Sequence, residues 1–302
     1  MAAKDRYGEI ALLVFLSFLW GGSFTLIKIA LPTVPPATIV LVRLAIGAAF
    51  LLAFVRVRGI ALPRAPRLWG MFAVQGILQS ALPFMLISWG ELHIDSGLAG
   101  LLTATPPIFV FLIAHFVLRE REAWAREVVG VVTGLAGVLV ILGPAIGAAA
   151  GSSILGQLAV TGSSLSYALA AIYARRFGHL PAPLTAAAAM TMATLEMLPV
   201  ALFVDRPWTL SPAPEALLAL AALGVFSTGL AMIVFFRLVK TLGALGVSSG
   251  SYLRAGFGVL LGAVVLGEAF TVTLFAGLVL IFLGVAVTTG ALAWPARVTP
   301  PK

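Results

Sequence analysis

Long apolar runs separated by short clusters of charge, proline and glycine fill the chain from end to end. A bilayer core about 30 Å thick is crossed by roughly 20 mostly apolar residues per helix. Segmentation at the polar punctuation predicts ten such spans. They run from Ile10 to Ile29, Ala37 to Val55, Leu68 to Trp89, Ser96 to Leu118, Val128 to Ile146, Ile154 to Tyr173, Leu184 to Phe203, Ala216 to Phe236, Leu245 to Leu266 and Thr271 to Ala293. The first run follows Lys4 and Arg6, as a secretory leader would. It continues through Gly22 to Ile29 without a small-x-small cleavage site, so it reads as a span.

Composition agrees: 61% of the residues are hydrophobic and only 10% charged, a balance that belongs in lipid rather than in a soluble domain. The absence of cysteine excludes disulfides and thiolate metal sites. The net charge of +8 would suggest nucleic acid, but the positions of the basic residues explain it better. With the connections assigned to alternate sides, Arg206 is the one basic loop residue on its side. Lys4, Arg6, Arg56, Arg58, Arg64, Arg67, Arg119, Arg121, Arg126, Arg175, Arg176, Arg237, Lys240, Arg297 and Lys302 share the other. Short basic loops stay in the cytoplasm, which puts both termini there. No nucleic-acid partner is implied.

The chain also matches itself at an offset of 147 to 148 residues. Trp20 falls on Tyr167, Lys28 on Arg175 and Pro36 on Pro183. Gln79 then meets Ser227, Ser80 meets Thr228, Thr103 meets Ser251 and Glu120 meets Glu268. Gly130 meets Gly277 and Gly137 meets Gly284. Each half, 1–147 and 148–302, holds five predicted spans, an odd number, so the second half enters the membrane from the opposite face. The predicted fold class is therefore all-α: a polytopic membrane protein whose ten transmembrane helices form two inverted five-helix repeats around a central cavity. Inverted repeats are a common scaffold of secondary transporters, with the substrate near the midplane.

Four segments carry a family resemblance: "LWGGSF" in the first span, "TPPIFVFLIAHFVLRE" ending at Glu120, "GVVTGLAGVLVILG", and "YLRAGFGVLLGAVVLGE" ending at Glu268. They resemble the drug/metabolite transporter superfamily, EamA type, and the whole chain more loosely resembles its bacterial amino-acid exporter branch. The resemblance implies a ten-helix basket in the bacterial inner membrane that exports amino acids or similar small metabolites. It implies a small-molecule substrate and a lipid bilayer as the partners; a monomer is compatible with the sequence, which does not specify oligomeric state. An importer or antiporter of sugar-phosphate or nucleotide-sugar type, and a non-transporting membrane scaffold, are the alternatives. No enzyme is expected, because no metalloprotease, P-loop or dinucleotide motif is present, and no cofactor or metal is implied.

Candidate site residues follow from polar groups at membrane depth. Trp20 and Ser23, beside the close-packing pair Gly21 and Gly22, are read as facing a cavity with the repeat partner Tyr167. Gln75 and Gln79, four apart, are expected to form one polar stripe with Ser80, matched by Ser227 in the second half. Pro106 and Pro107 remove backbone donors and leave carbonyls free near Thr103. Ser251, Tyr252 and Arg254 stand at the equivalent place, with Arg254 replacing Pro106. Arg254 lies about 14 Å into the core at about 1.5 Å per residue, so it faces a cavity or a partner. A guanidinium fits a carboxylate with two parallel hydrogen bonds. Pairing with free helix carbonyls or with Glu196 is the structural alternative, and Arg43 with Glu196 another. With Arg254 the one midplane cation in this reading, a singly anionic or zwitterionic solute is preferred over a phosphorylated one.

Overall fold

The computed structural model describes residues 3–94, 99–100, 102–119, 124–148, 153–266 and 272–292. Among these the regular elements are all helical. Helix α1 spans Ala3–Ala30, α2 Pro36–Val57, α3 Pro66–Gly76 and α4 Leu82–Gly90, with a π-helical segment, Ile77–Ala81, joining the last two. α5 covers Pro106–Leu112 and continues through a π segment at Ile113–Val117. There follow α6 (Trp124–Ala148), α7 (Ile154–Ala174), α8 (Ala182–Val204), α9 (Pro214–Ala222), a third π segment (Leu223–Leu230), α10 (Ala231–Ser248), α11 (Gly250–Leu266) and α12 (Val272–Thr288). Proline stands in the first turn of α2, α3, α5, α8 and α9, where its missing N–H has no helical partner to lose.

Six helical stretches are long and apolar enough to cross a bilayer: Tyr7–Ala30, Pro36–Val57, Pro66–Gly90, Ile154–Phe177, Ala182–Val204 and Pro214–Ser248. Pro106–Val117 and Phe275–Thr288 are shorter apolar helices. The chain is a multi-pass membrane protein. Where a loop was expected between Phe236 and Leu245, the helix runs on and breaks only at Gly243, whose φ of 74° is a glycine conformation. The predicted span Ser96 to Leu118 is not one continuous helix: it breaks before Pro106, with residues 103–105 outside any helix.

Polarity is arranged as lipid requires. Leu158, Leu195, Leu218 and Phe275 lie exposed, while Gln75, Gln79, Thr103, Ser164, Ser227, Arg43 and Arg254 are buried. Polar side chains cannot be left facing hydrocarbon without loss of several kcal/mol each, so they turn inward.

Glycines set the closest helix contacts. A side chain on Gly130 would strike the Gly284 carbonyl at 3.1 Å, and one on Gly137 the Gly277 carbonyl at 2.7 Å, so α6 and α12 meet backbone to backbone. Under the 147-residue offset these two contacts exchange with each other. The π segments Ile77–Ala81 and Leu223–Leu230 also correspond under the 148-residue offset. Ser166 of α7 donates to the Leu78 carbonyl at 2.8 Å, and Trp20 Nε1 of α1 donates to the Ser227 carbonyl at 3.2 Å. At the end where α1 begins, Arg237 of α10 grips the buried Glu9 carboxylate at 2.7 Å, with Thr241 donating to its other oxygen at 2.9 Å.

Candidate functional site

The site begins with two missing hydrogens. Proline carries no N–H, so Pro106 and Pro107 cannot donate to the carbonyls four residues earlier, those of Leu102 and Thr103. A buried carbonyl without a donor costs about 1–3 kcal/mol, and both are satisfied from outside the helix. The Leu102 carbonyl accepts from Ser164 Oγ and Thr105 Oγ1, each at 2.7 Å. The Thr103 carbonyl accepts from Arg254 Nη2. Arg254 thus occupies the repeat position of a proline and makes good the bond that the other half's proline pair removes.

The rest of the Arg254 guanidinium is not consumed by that bond. Its Nε has no hydrogen-bond partner, and its carbon stands 5.4 Å from the ring centroid of Tyr167 and 5.8 Å from that of Phe24. The Tyr167 hydroxyl also hydrogen-bonds the guanidinium, so Nε is the donor left open to an anion. α11 is held in this place by α1: a side chain on Gly21 would meet Phe257 Cβ at 2.8 Å and the Arg254 carbonyl at 3.0 Å. Gly21 is therefore a close-approach residue that brings the α1 backbone against the backbone of Arg254.

A cavity opens here, lined by Trp20, Ser23, Phe24, Ile27, Arg43, Phe84, Ile87, Tyr167 and Arg254. It has room for little more than water. An amino-acid-sized solute would need these helices to separate. Trp20, Ser23, Tyr167 and Arg254, all expected from the sequence, meet on its wall. Ser23 Oγ donates to the Trp20 carbonyl at 2.6 Å, and the Trp20 ring leans on Phe235 at 5.9 Å.

Phe24, Ile27, Arg43, Phe84 and Ile87 are cavity residues that sequence reasoning missed, and Arg43 is the charged one. It is 2% exposed, donates from Nε to Thr228 Oγ1 at 3.2 Å, and lies over the Phe84 ring at 3.8 Å. No acidic side chain lines the cavity. Neither arginine forms the ion pair with Glu196 that its depth suggested, and one Glu196 oxygen is buried without a partner. The sequence signal was available, since Arg43 lies at membrane depth and had no partner in its own span. Depth, however, does not say which way a side chain points.

The other sequence candidates lie off the cavity wall. Gln75 and Gln79 are fully buried, with both amide atoms of Gln75 and the Gln79 oxygen unpartnered. Neither lines the cavity, and the π segment starting at Ile77 changes the residues per turn between them. Ser80 contacts Met190 Sδ at 3.6 Å, Thr103 Oγ1 donates to the Gly100 carbonyl, and Ser227 Oγ donates to the Leu19 carbonyl. Ser251 is buried away from the cavity lining. Tyr252 is a packing residue: its ring presses on Gly134 and its hydroxyl donates to the Val131 carbonyl at 3.2 Å. Glu120 and Glu268 lie outside the described residues.

A multi-pass helical protein with two desolvated cations on an internal cavity is built as a solute carrier. The profile of the EamA-like transporter family matches residues 8–143 and again 154–290. The chain belongs to that family. It is 28% identical over 276 residues to "Uncharacterized transporter YvbV" of Bacillus subtilis, covering 89% of this chain and 88% of that one. It is 27% identical over 286 residues to "Uncharacterized inner membrane transporter YedA" of Escherichia coli K12, covering 93% and 91%. Over 129 residues, 43% of each chain, it is 33% identical to a Streptantibioticus cattleyicolor protein named "Probable terminal-alkyne amino-acid exporter". A crystal structure 23% identical in sequence superposes with a TM-score of 0.77 over 95% of this chain and 98% of its own, which supports the fold alone.

Proposed function

We propose that this transporter exports small metabolites, amino acids first among them, across a bacterial inner membrane by alternating access. The two halves, 1–147 and 148–302, act as inverted five-helix repeats with the cavity between them, in a ten-helix basket. The observation that carries the substrate reading is the pair of buried arginines, Arg43 and Arg254, on one cavity whose described lining residues include no carboxylate. Desolvated cations gain most from an anionic group. Support for the repeats comes from the double family match and from the α6–α12 contacts that exchange under the offset. The partial likeness to a protein named as an amino-acid exporter, and the inner-membrane relative, point the same way.

The second arginine also favours a second reading, a phosphorylated or doubly anionic solute. Ligand stabilisation of the purified protein separates the two. A ligand at a hundred times its Kd stabilises the folded state by about 2.7 kcal/mol. Amino acids are expected to raise the unfolding temperature, and their amides to do so much less. Stabilisation by sugar phosphates alone would replace the amino-acid reading with the second one.

The proposed orientation keeps both termini, the connections at Arg64 and Arg175, and the stretch of α10 around Lys240 on the cytoplasmic side. Cysteines introduced at Pro35 and Pro212 are expected to react with an impermeant thiol reagent added to intact cells. Reaction of Arg64→Cys from that side would reverse the orientation.

A further inference from the structure

Glu91 follows α4 directly, one helical turn beyond Ile87 of the cavity wall. The residue keeps part of its surface exposed, yet both carboxylate oxygens are buried and neither has a hydrogen-bond partner. An ionised carboxylate left this way is strongly disfavoured unless cations stand near. Two do. Lys28 comes from the last turn of α1, next to the cavity residue Ile27, and Arg43 comes from α2 and lines the cavity itself.

Among the described residues, the other elements packed on α4 bring no further charge. Tyr167 and Tyr173 are the titratable side chains of α7, and the segment Ile77–Ala81 has none. His93, two residues on, is turned onto the Trp89 ring at 4.4 Å. The carboxyl therefore sits at the rim of the cavity in a field set by Lys28 and Arg43. Burial pushes it up to about 7, against the opposing pull of Lys28 and then Arg43.

We propose that Glu91 is a proton-binding site that couples proton uptake at the cavity rim to anion binding at Arg43. With Glu91 ionised, Arg43 has an internal counter-charge and gains less from a substrate carboxylate. Protonation removes that counter-charge. By reciprocity, a bound substrate anion favours the protonated form of Glu91 by the same factor, so proton and substrate bind and travel together. An alkaline medium on the release side then favours export. This inference extends the reading of the cavity as a carboxylate site, but the proton site is measurable without any transported solute.

The test has two arms, each comparing wild type with Glu91→Gln, which mimics the protonated form. In the first, infrared titration of the substrate-free protein in detergent should show a carboxyl that loses its proton near neutral pH and is missing from the variant. Thermal unfolding adds a sign. A carboxyl raised above its ordinary 4.5 holds an extra proton in the folded state, so wild-type stability falls as pH rises from about 4.5 to about 7 and is level above. The variant should lack that slope.

In the second arm, labelled L-leucine and L-aspartate are the probes in proteoliposomes. Wild-type uptake should be about tenfold faster at an external pH of about 6 than about 8, and uptake by Glu91→Gln should be insensitive to pH. A carboxyl ionised throughout, or an unchanged pH response in the variant, would overturn the proposal. Neutral titration without movement of either probe would uphold the proton site and count against the amino-acid reading instead.

Discussion

Arg254→Leu is expected to reduce solute flux by about thirtyfold or more and to lower the unfolding temperature. Removing one partner of a desolvated charge pair costs about 2–5 kcal/mol, and each 1.4 kcal/mol is a factor of ten. The stability loss has a separate origin. Arg254 supplies the donor that Pro107 withholds from the Thr103 carbonyl, so leucine leaves that carbonyl buried and unpaired, at about 1–3 kcal/mol. Arg254→Lys separates the two roles, because an ammonium still donates to the carbonyl but lacks the planar fork that fits a carboxylate. The lysine variant should unfold close to the wild-type temperature while its flux remains low. A stable Arg254→Leu protein with full flux would remove the residue from the site.

Arg43→Leu is expected to lose flux to a similar degree with a smaller change in stability. Its contacts are one hydrogen bond to the Thr228 hydroxyl and the face of Phe84, neither of which supports a broken helix. Leucine restores apolar contact with the ring, and Glu91, already pushed up to about 7 by burial, takes up a proton when that cation is lost, so no uncompensated charge stays behind. Flux assays beside thermal unfolding in detergent check the contrast: both variants inactive, but only the Arg254 variant markedly heat-labile. Equal destabilisation by both would make the arginines structural.

Much of this site was legible in the chain because membrane depth is a linear quantity. Counting from the end of a span put Arg254 deep in the core, and the repeat offset paired Trp20 with Tyr167, both of which line the cavity. The proline pair announced free carbonyls, and those of Leu102 and Thr103 are the ones rescued from outside. What a sequence does not carry is the direction in which a residue faces. Depth alone offered Glu196 as one alternative partner for Arg43, whereas α2 turns it toward Phe84 and the cavity. The Gln75–Gln79 stripe assumed an unbroken α-helical period, and the π segment at Ile77–Ala81 alters that period between them. Tyr252 stands two residues before Arg254, and that small step is enough to turn it onto Gly134 of α6. Glu91 escaped notice because it lies just past the end of a span, where a carboxylate ordinarily meets water.

The most direct test of the cavity as a carboxylate-binding transport site is flux in proteoliposomes containing the purified protein. A panel of labelled amino acids is presented beside their amides, with the Arg43→Leu and Arg254→Leu variants as controls. Saturable, protein-dependent movement of at least one amino acid is predicted, with its amide moved far more slowly and both variants inactive. Amide and acid moving equally well, or no amino acid crossing faster than in protein-free vesicles while the protein remains folded, would contradict the account.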